Sequence, residues 1–419
     1  MLPGMTNLPR LRFALNSFCV GMMVVHGFLF WIVRQQLVSG SSDFRIFYTA
    51  GLMLRRGEGR VLYSQRLQSD TQREFAPGAV HRLGVLPYNH PPFEALLYGP
   101  MTYLPYFSAL RLWIVINILL LAGGIYWLRS WLPTLASHFP WLLILTPFAF
   151  FPISCALLQG QDSILLFALC CMAFSAFRRT QDLQAGGYLG LGLFKFHLVL
   201  PFAFVLILHR RWRALLGMSV VAAVEAAISW GMVGGKELLQ YPDFVWHGHQ
   251  TPGVSVPADM ANLRGLLMGW DSNLPVRWLE LALLAASIGL VVWASRQWRP
   301  IDLLDMRSWN CGFSLCLIVS YLVGYHGYSH DMSFLFLPTL LALDRTLAEW
   351  QETSAAFKLV LGLMFVSPLY LRFGLRPPHE NLFAIVLLAF VAYLATAAAK
   401  AEPQALVSKS KGRLDDPPR

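Results

Sequence analysis

Leu11–Val33, LRFALNSFCVGMMVVHGFLFWIV, is the stretch that decides the class of fold. Beyond Arg12 it holds no acidic residue, lysine or arginine. At about 1.5 Å per residue, a helix of this length covers the ~30 Å hydrocarbon core of a bilayer. The run is too long for the apolar core of a signal peptide and has no small-residue cleavage site, so it reads as a signal anchor. Directly after it comes Ser42-Asp43-Phe44-Arg45, the start of a polar loop spanning 34–107.

The rest of the chain repeats the pattern. Of 419 residues, 56% are hydrophobic and 13% charged, about half the charged share of a soluble domain. The composition predicts an all-α, polytopic integral membrane protein. The net charge of +10 fits arginines beside anionic lipid. No basic helix or aromatic-interleaved basic module marks a nucleic-acid partner. The six cysteines lie in apolar runs without a CxxC and read as small core hydrophobes.

Further spans are expected near 108–128, 140–158, 162–177, 212–232, 276–294, 309–325, 332–348, 356–373 and 381–399. The apolar stretch 183–208 lies between Arg178-Arg179 and His209-Arg210-Arg211. One crossing would put these clusters on opposite sides, so two half-helices meeting near Lys195-Phe196-His197 are expected instead. The count is about 12 crossings (10–13), with both termini cytoplasmic. Residues 1–400 form one membrane domain. Its two long extracytoplasmic loops are 34–107, which carries interfacial helices at Phe44–Leu54 and Phe93–Tyr103, and 233–275. Residues 401–419 are a polar cytoplasmic tail with the composition of a disordered segment.

This topology gathers the candidate chemistry on one face. Ionisable groups at membrane depth cost about 2.5–3.5 kcal/mol each on insertion scales, so they are functional candidates. Asp43 has two readings, general base for an acceptor hydroxyl or N-cap of the next helix. Tyr88, Asn89 and His90 precede Pro91-Pro92 as a rigid turn or a pocket wall. Gln159 and Gln161 join two spans, as a tight turn or as amides facing a sugar, with Asp162 as a cap. Lys195 and His197 either snorkel to an interface or present charge to a phosphate. Asn262 and Arg264 close the second loop, with Arg264 a phosphate or headgroup ligand. His326 and His330 are spaced like metal ligands, but no third ligand is evident; contact to phosphate or sugar is the preferred reading, beside Asp331. Neither a metal nor a cofactor is expected. There is no P-loop, no GxSxG and no D-x-D for a metal-bound nucleotide sugar, so an activated donor would have to come from the membrane.

The residues Ser42-Asp43-Phe44, Phe47–Gly51, Gly57–Tyr63, Pro91-Pro92, Tyr98–Trp113, Gln159–Asp162, Gly186–Lys195, Arg210–Arg213, Asn262–Gly265 and Ser329–Asp331 together resemble bacterial glycosyltransferase family 87. The resemblance covers about 40–345. The chain departs from the family pattern at His90, His197 and Leu263. The resemblance implies a GT-C membrane fold and transfer of a hexose, mannose first, from a polyprenyl-phosphate sugar to a hydroxyl of a glycolipid or polysaccharide, on the extracytoplasmic face of the cell membrane. It implies Asp43 as the base; developing charge on the donor phosphate needs cations, for which Lys195, His197, Arg264 and His330 are the candidates. The competing reading of the span count is a multi-pass transporter or flippase, which would carry paired inverted repeats; none is evident.

Overall fold

The computed structural model describes residues 7–248, 256–268, 276–298, 306–369 and 380–399. The described residues are helical throughout, without strands. The tail 401–419 and parts of the second loop lie outside them.

Five helices are long and apolar enough to cross a membrane: Leu8–Gln35, Tyr106–Trp131, Trp212–Val233, Arg277–Gln297 and Glu380–Ala398. Two further pairs, Pro140–Ala149 with Phe151–Gln159 and Asp182–Gly190 with Leu193–Leu208, are broken and bent, and counting each as one span gives seven. The chain is thus an all-helical, multi-pass membrane protein by the length and apolarity of its helices, but the expected count of about 12 is not reached. The difference has a physical source. Ser163–Arg178, Met306–Leu322, Phe336–Ala348 and Ala355–Phe365 are shorter helices. Every residue from Cys311 to Leu322 is buried by protein. Apolar composition there reports a protein core as much as lipid contact.

The second broken pair bends by 60° at its break. Asp182–Gly190 runs alongside the first half of Trp212–Val233 so closely that a Cβ on Gly186 would lie 1.8 Å from the Ala214 carbonyl oxygen. Arg211 Nη1 pairs with Asp182 Oδ1 at 2.9 Å, so the outer ends of the hairpin meet, as the two arginine clusters required. Its inner turn carries Lys195. The helices therefore have an arginine end, around Arg178, Arg211, Arg307 and Arg345, and a cavity end.

The first loop departs from expectation. Phe44–Arg55 is a helix, but protein covers most of it: Phe44, Arg45 and Phe47–Met53 are buried. Its apolar side packs into an aromatic cluster with Tyr98, Tyr106 and Trp113. Gly51 permits this, since a Cβ there would meet the Tyr98 backbone at 2.8 Å. Phe93–Tyr103 is not one helix but a single α-turn, Ala95–Tyr98, between short 3-10 segments. Two unforeseen helices, Gln65–Phe75 and Pro77–Leu83, complete the loop.

Candidate active site

Gly40, with φ of +82°, turns the chain out of the first helix. Ser42 Oγ then bonds to Tyr106 OH at 2.8 Å. These contacts fix Asp43 at the start of Phe44–Arg55, but its side chain makes no capping bond. Instead Asp43 Oδ2 accepts from Gln161 Nε2 at 2.8 Å. The cap reading of Asp43 therefore does not hold.

Gln161 is placed by a stiff turn. Gly160 ends Phe151–Gln159 in the left-handed region at φ +64°, a conformation glycine adopts without penalty. Trp113 Nε1 donates to the carbonyl oxygens of Gly160 and Gln161 at 3.0 and 3.3 Å. Asp162 follows at the start of Ser163–Arg178. It too makes no capping bond, so its expected role as a cap is corrected.

Lys195 sits between two carboxylates, 2.9 Å from Asp162 Oδ1 and 2.7 Å from Asp331 Oδ1. All three side chains are buried. Asp331 is tied further by the Tyr328 backbone N–H at 3.0 Å. His330 Nε2 lies 3.5 Å from Asp331 Oδ1. On the other side, a Glu94 oxygen lies within 4.8 Å of an Asp162 oxygen, and Glu94 Oε2 lies 2.8 Å from His90 Nδ1. Burial pushes the Glu94 carboxyl well above the usual carboxylate range, and the neighbouring Asp162 charge adds to this, so Glu94 holds its proton. Burial alone would raise Asp162 and Asp331 as well. The Lys195 ammonium outweighs it and holds both below their ordinary values. Burial lowers His90 to about 4, leaving the imidazole neutral.

Of these groups, His90, Lys195, His330 and Asp331 line a cavity of about 680 Å³, within the size range of small-molecule sites. Of the residues singled out from sequence, Asp43, Asn89, His90, Gln161, Lys195, His197, His326, His330 and Asp331 line it. Four histidines from three segments thus share one chamber. Ile46, Leu86, Phe194 and Val245 supply apolar wall.

The remaining candidates lie elsewhere. The Tyr88 ring is buried and its OH donates to the Pro91 carbonyl at 2.8 Å, which shapes the turn. Gln159 is not a wall residue. Asn262 is consumed locally: Nδ2 donates to the Gly324 carbonyl at 2.8 Å and Oδ1 accepts the Gly265 N–H at 2.9 Å. Arg264 stands just behind the wall, its guanidinium 4.0 Å from the centroid of the lining Tyr325 ring.

Glu94, Tyr241 and Tyr328 were not foreseen as site residues. Tyr241 and Tyr328 line the cavity. Glu94 follows two prolines, where an acidic residue is ordinary first-turn electrostatics, and nothing local revealed that Asp162 lies across from it. His90, Glu94 and Asp162 present ligand atoms within 4.8 Å of one another. Lys195 pairs with Asp162 Oδ1 at 2.9 Å, whereas Asp162 Oδ2 is the oxygen that faces His90, at 3.9 Å.

A buried polar chamber at one end of apolar helices, with one carboxylate held by an amide at its wall, defines a multi-pass membrane protein that handles a polar substrate. The chain belongs to glycosyltransferase family 87, whose pattern matches residues 88–323, and is accordingly a glycosyltransferase. Asp43, His326, His330 and Asp331 lie outside the matched stretch and join it only in the folded cavity. No curated protein and no solved structure matches the chain.

Proposed function

We propose that this enzyme moves a hexose, mannose on the family resemblance, from a polyprenyl-phosphate sugar to a hydroxyl of a glycolipid or polysaccharide, with inversion at the anomeric carbon. The observation that carries the reading is Asp43 itself. One oxygen is fixed by Gln161, and the other has no partner among the described residues while the side chain lines the cavity. A carboxylate held this way can take the proton of an acceptor hydroxyl, a contribution of about 10²–10⁴-fold. The acceptor oxygen bonds to the anomeric carbon as the bond to the phosphate oxygen breaks. The electron pair leaves with the polyprenyl phosphate, which needs no acid, so one carboxylate suffices where a glycosidase uses two.

Lys195 takes a different part from the one its sequence position suggests. With two carboxylates within 2.9 Å, it stabilises their charge and orients Asp162 and Asp331. His197, His326 and His330 on the wall, with Arg264 behind Tyr325, are left to face the donor phosphate. His90, Asn89 and Gln161 suit sugar hydroxyls. The apolar wall accommodates the first prenyl units, and the cavity end faces the extracytoplasmic side of the cell membrane.

The test is transfer in membranes from a panel of labelled polyprenyl-phosphate sugars. The wild type is expected to label one lipid or polymer with inverted anomeric configuration. Asp43→Asn is expected to insert normally and lose at least a hundredfold in rate. Near wild-type transfer by that variant removes Asp43 as the base.

A further inference from the structure

Beside the chamber, ligand atoms from two distant segments meet. His90 Nδ1 lies 2.8 Å from Glu94 Oε2 and 3.9 Å from Asp162 Oδ2, and each residue offers an atom within 4.8 Å of the other two. The proposed transfer gives neither Glu94 nor Asp162 a contact with substrate. The arrangement is stiff. The Glu94 N–H donates to the Pro91 carbonyl at 3.2 Å, and the Phe93 N–H donates to Ser229 Oγ at 3.2 Å, which pins the turn to Trp212–Val233. The His90 ring packs against Phe47 and Tyr88, with centroids 4.9 and 5.7 Å away. Lys195 holds Asp162 Oδ1 at 2.9 Å, so the carboxylate is oriented from outside the cluster, as the carboxylates around bound metals are.

What the cluster lacks is positive charge. Glu94 is 3% and Asp162 0% exposed. Glu94 Oε1, Glu94 Oε2 and Asp162 Oδ2 have no hydrogen-bond partner among the described residues, whereas buried polar groups are ordinarily paired. A proton on Glu94 can join one pair of these oxygens and leaves the third unmet. The charge count points the same way. With Glu94 ionised, Glu94, Asp162 and Asp331 against the Lys195 ammonium leave two negative charges, which one divalent cation balances.

We propose that His90 Nδ1, Glu94 Oε2 and Asp162 Oδ2 bind one divalent transition-metal ion, Zn²⁺ or Mn²⁺. Bonds of about 2.0–2.2 Å to nitrogen and oxygen place such ligands roughly 3–4 Å apart, close to the separations found here. An imidazole beside carboxylates selects these ions over Ca²⁺ and Mg²⁺, which take oxygen ligands. Glu94 binds as the carboxylate, so the ion takes the place of its proton. His90 lines the chamber, which gives the ion its way in. Once bound, the ion ties the turn before Glu94 to the start of Ser163–Arg178. This is not the His326–His330 pair that spacing alone suggested. Metal binding is a property of the cluster itself, so the inference does not rest on the transfer reaction.

The experiment uses the full chain in neutral detergent, stripped with chelator and dialysed against Zn²⁺, Mn²⁺, Ca²⁺ or Mg²⁺, with retained metal counted by elemental analysis. Glu94→Gln and His90→Asn remove one ligand each. His326→Asn tests the other chamber histidines as the holder. Retention of a single Zn²⁺ or Mn²⁺ per chain, with affinity lowered about tenfold or more in both ligand variants and unchanged in His326→Asn, supports the site. No retained ion in the wild type, retention unchanged in the ligand variants, equal retention of Ca²⁺ or Mg²⁺, or loss in His326→Asn overturns it. Should one ligand variant fail to fold, the other decides.

Discussion

Gln161 Nε2 donates to Asp43 Oδ2 at 2.8 Å, across 118 positions of sequence. The amide can donate to a carboxylate but cannot take its proton. Gln161 therefore fixes where Asp43 points without competing for the chemistry. Gln161→Leu is expected to lower kcat by about tenfold or more while leaving the donor KM near its wild-type value, the signature of lost transition-state positioning. Gln161→Glu is expected to be worse, since two carboxylates would then face each other. Steady-state transfer kinetics check both.

Lys195 is buried between Asp162 and Asp331. Removing one member of a buried ion network leaves uncompensated charge and typically costs about 3–5 kcal/mol. Lys195→Met is expected to destabilise the protein on that scale, and adding Asp162→Asn and Asp331→Asn to it should restore much of the loss. Thermal unfolding of the purified variants in detergent measures this. A lysine needed only to contact donor phosphate would leave stability unchanged.

Glu94 holds its proton in the folded protein. An unfolded chain loses that proton above about pH 4.3. The folded state then binds more protons than the unfolded one, so this group's contribution to stability falls as pH rises past that value. Glu94→Gln keeps the neutral shape and removes the titration. It is expected to keep the fold and flatten the decline in stability between pH 5 and 8. His90 acts in the opposite sense. Lowered to about 4, it is neutral when folded but protonated when unfolded below about pH 6.5, so stability falls as pH drops from there towards 4. His90→Asn should flatten that acid limb. Unfolding midpoints across this range test both signs.

Gly186 and Gly187 are neighbours with opposite surroundings. A Cβ on Gly186 would lie 1.8 Å from the Ala214 carbonyl oxygen, whereas one on Gly187 would meet nothing within 4 Å. Gly186→Ala is expected to force the hairpin off Trp212–Val233 at a cost of about 1–3 kcal/mol. Gly187→Ala is expected to be neutral or slightly stabilising, because alanine favours helix. Protein yield and melting temperature of the pair provide the comparison.

What could be read from sequence follows from the range of the signal. The apolar runs, the polar turns between them and the doubling back near Lys195 are local and charge-patterned, so they were visible. The gathering of Asp43, Gln161, Lys195 and His330 in one chamber followed from placing polar residues on one face. Two things were hidden. The burial of Arg45 and most of its helix could not be told from an amphipathic interfacial pattern, because both place apolar residues at helical spacing. The Glu94–Asp162 contact joins positions 68 apart, each of which is explained locally by a helix start. Only packing distinguishes a cap from half of a carboxyl pair, and a lysine free to meet phosphate from one already neutralised.

The hairpin that carries Lys195 enters and leaves at the arginine end. Beyond its tip the returning arm is plugged by buried Leu198, Val199, Phe202, Val205 and Leu206. On this side the chamber is a cul-de-sac rather than a corridor. A substrate in the chamber therefore finds no passage along this arm towards the arginine end.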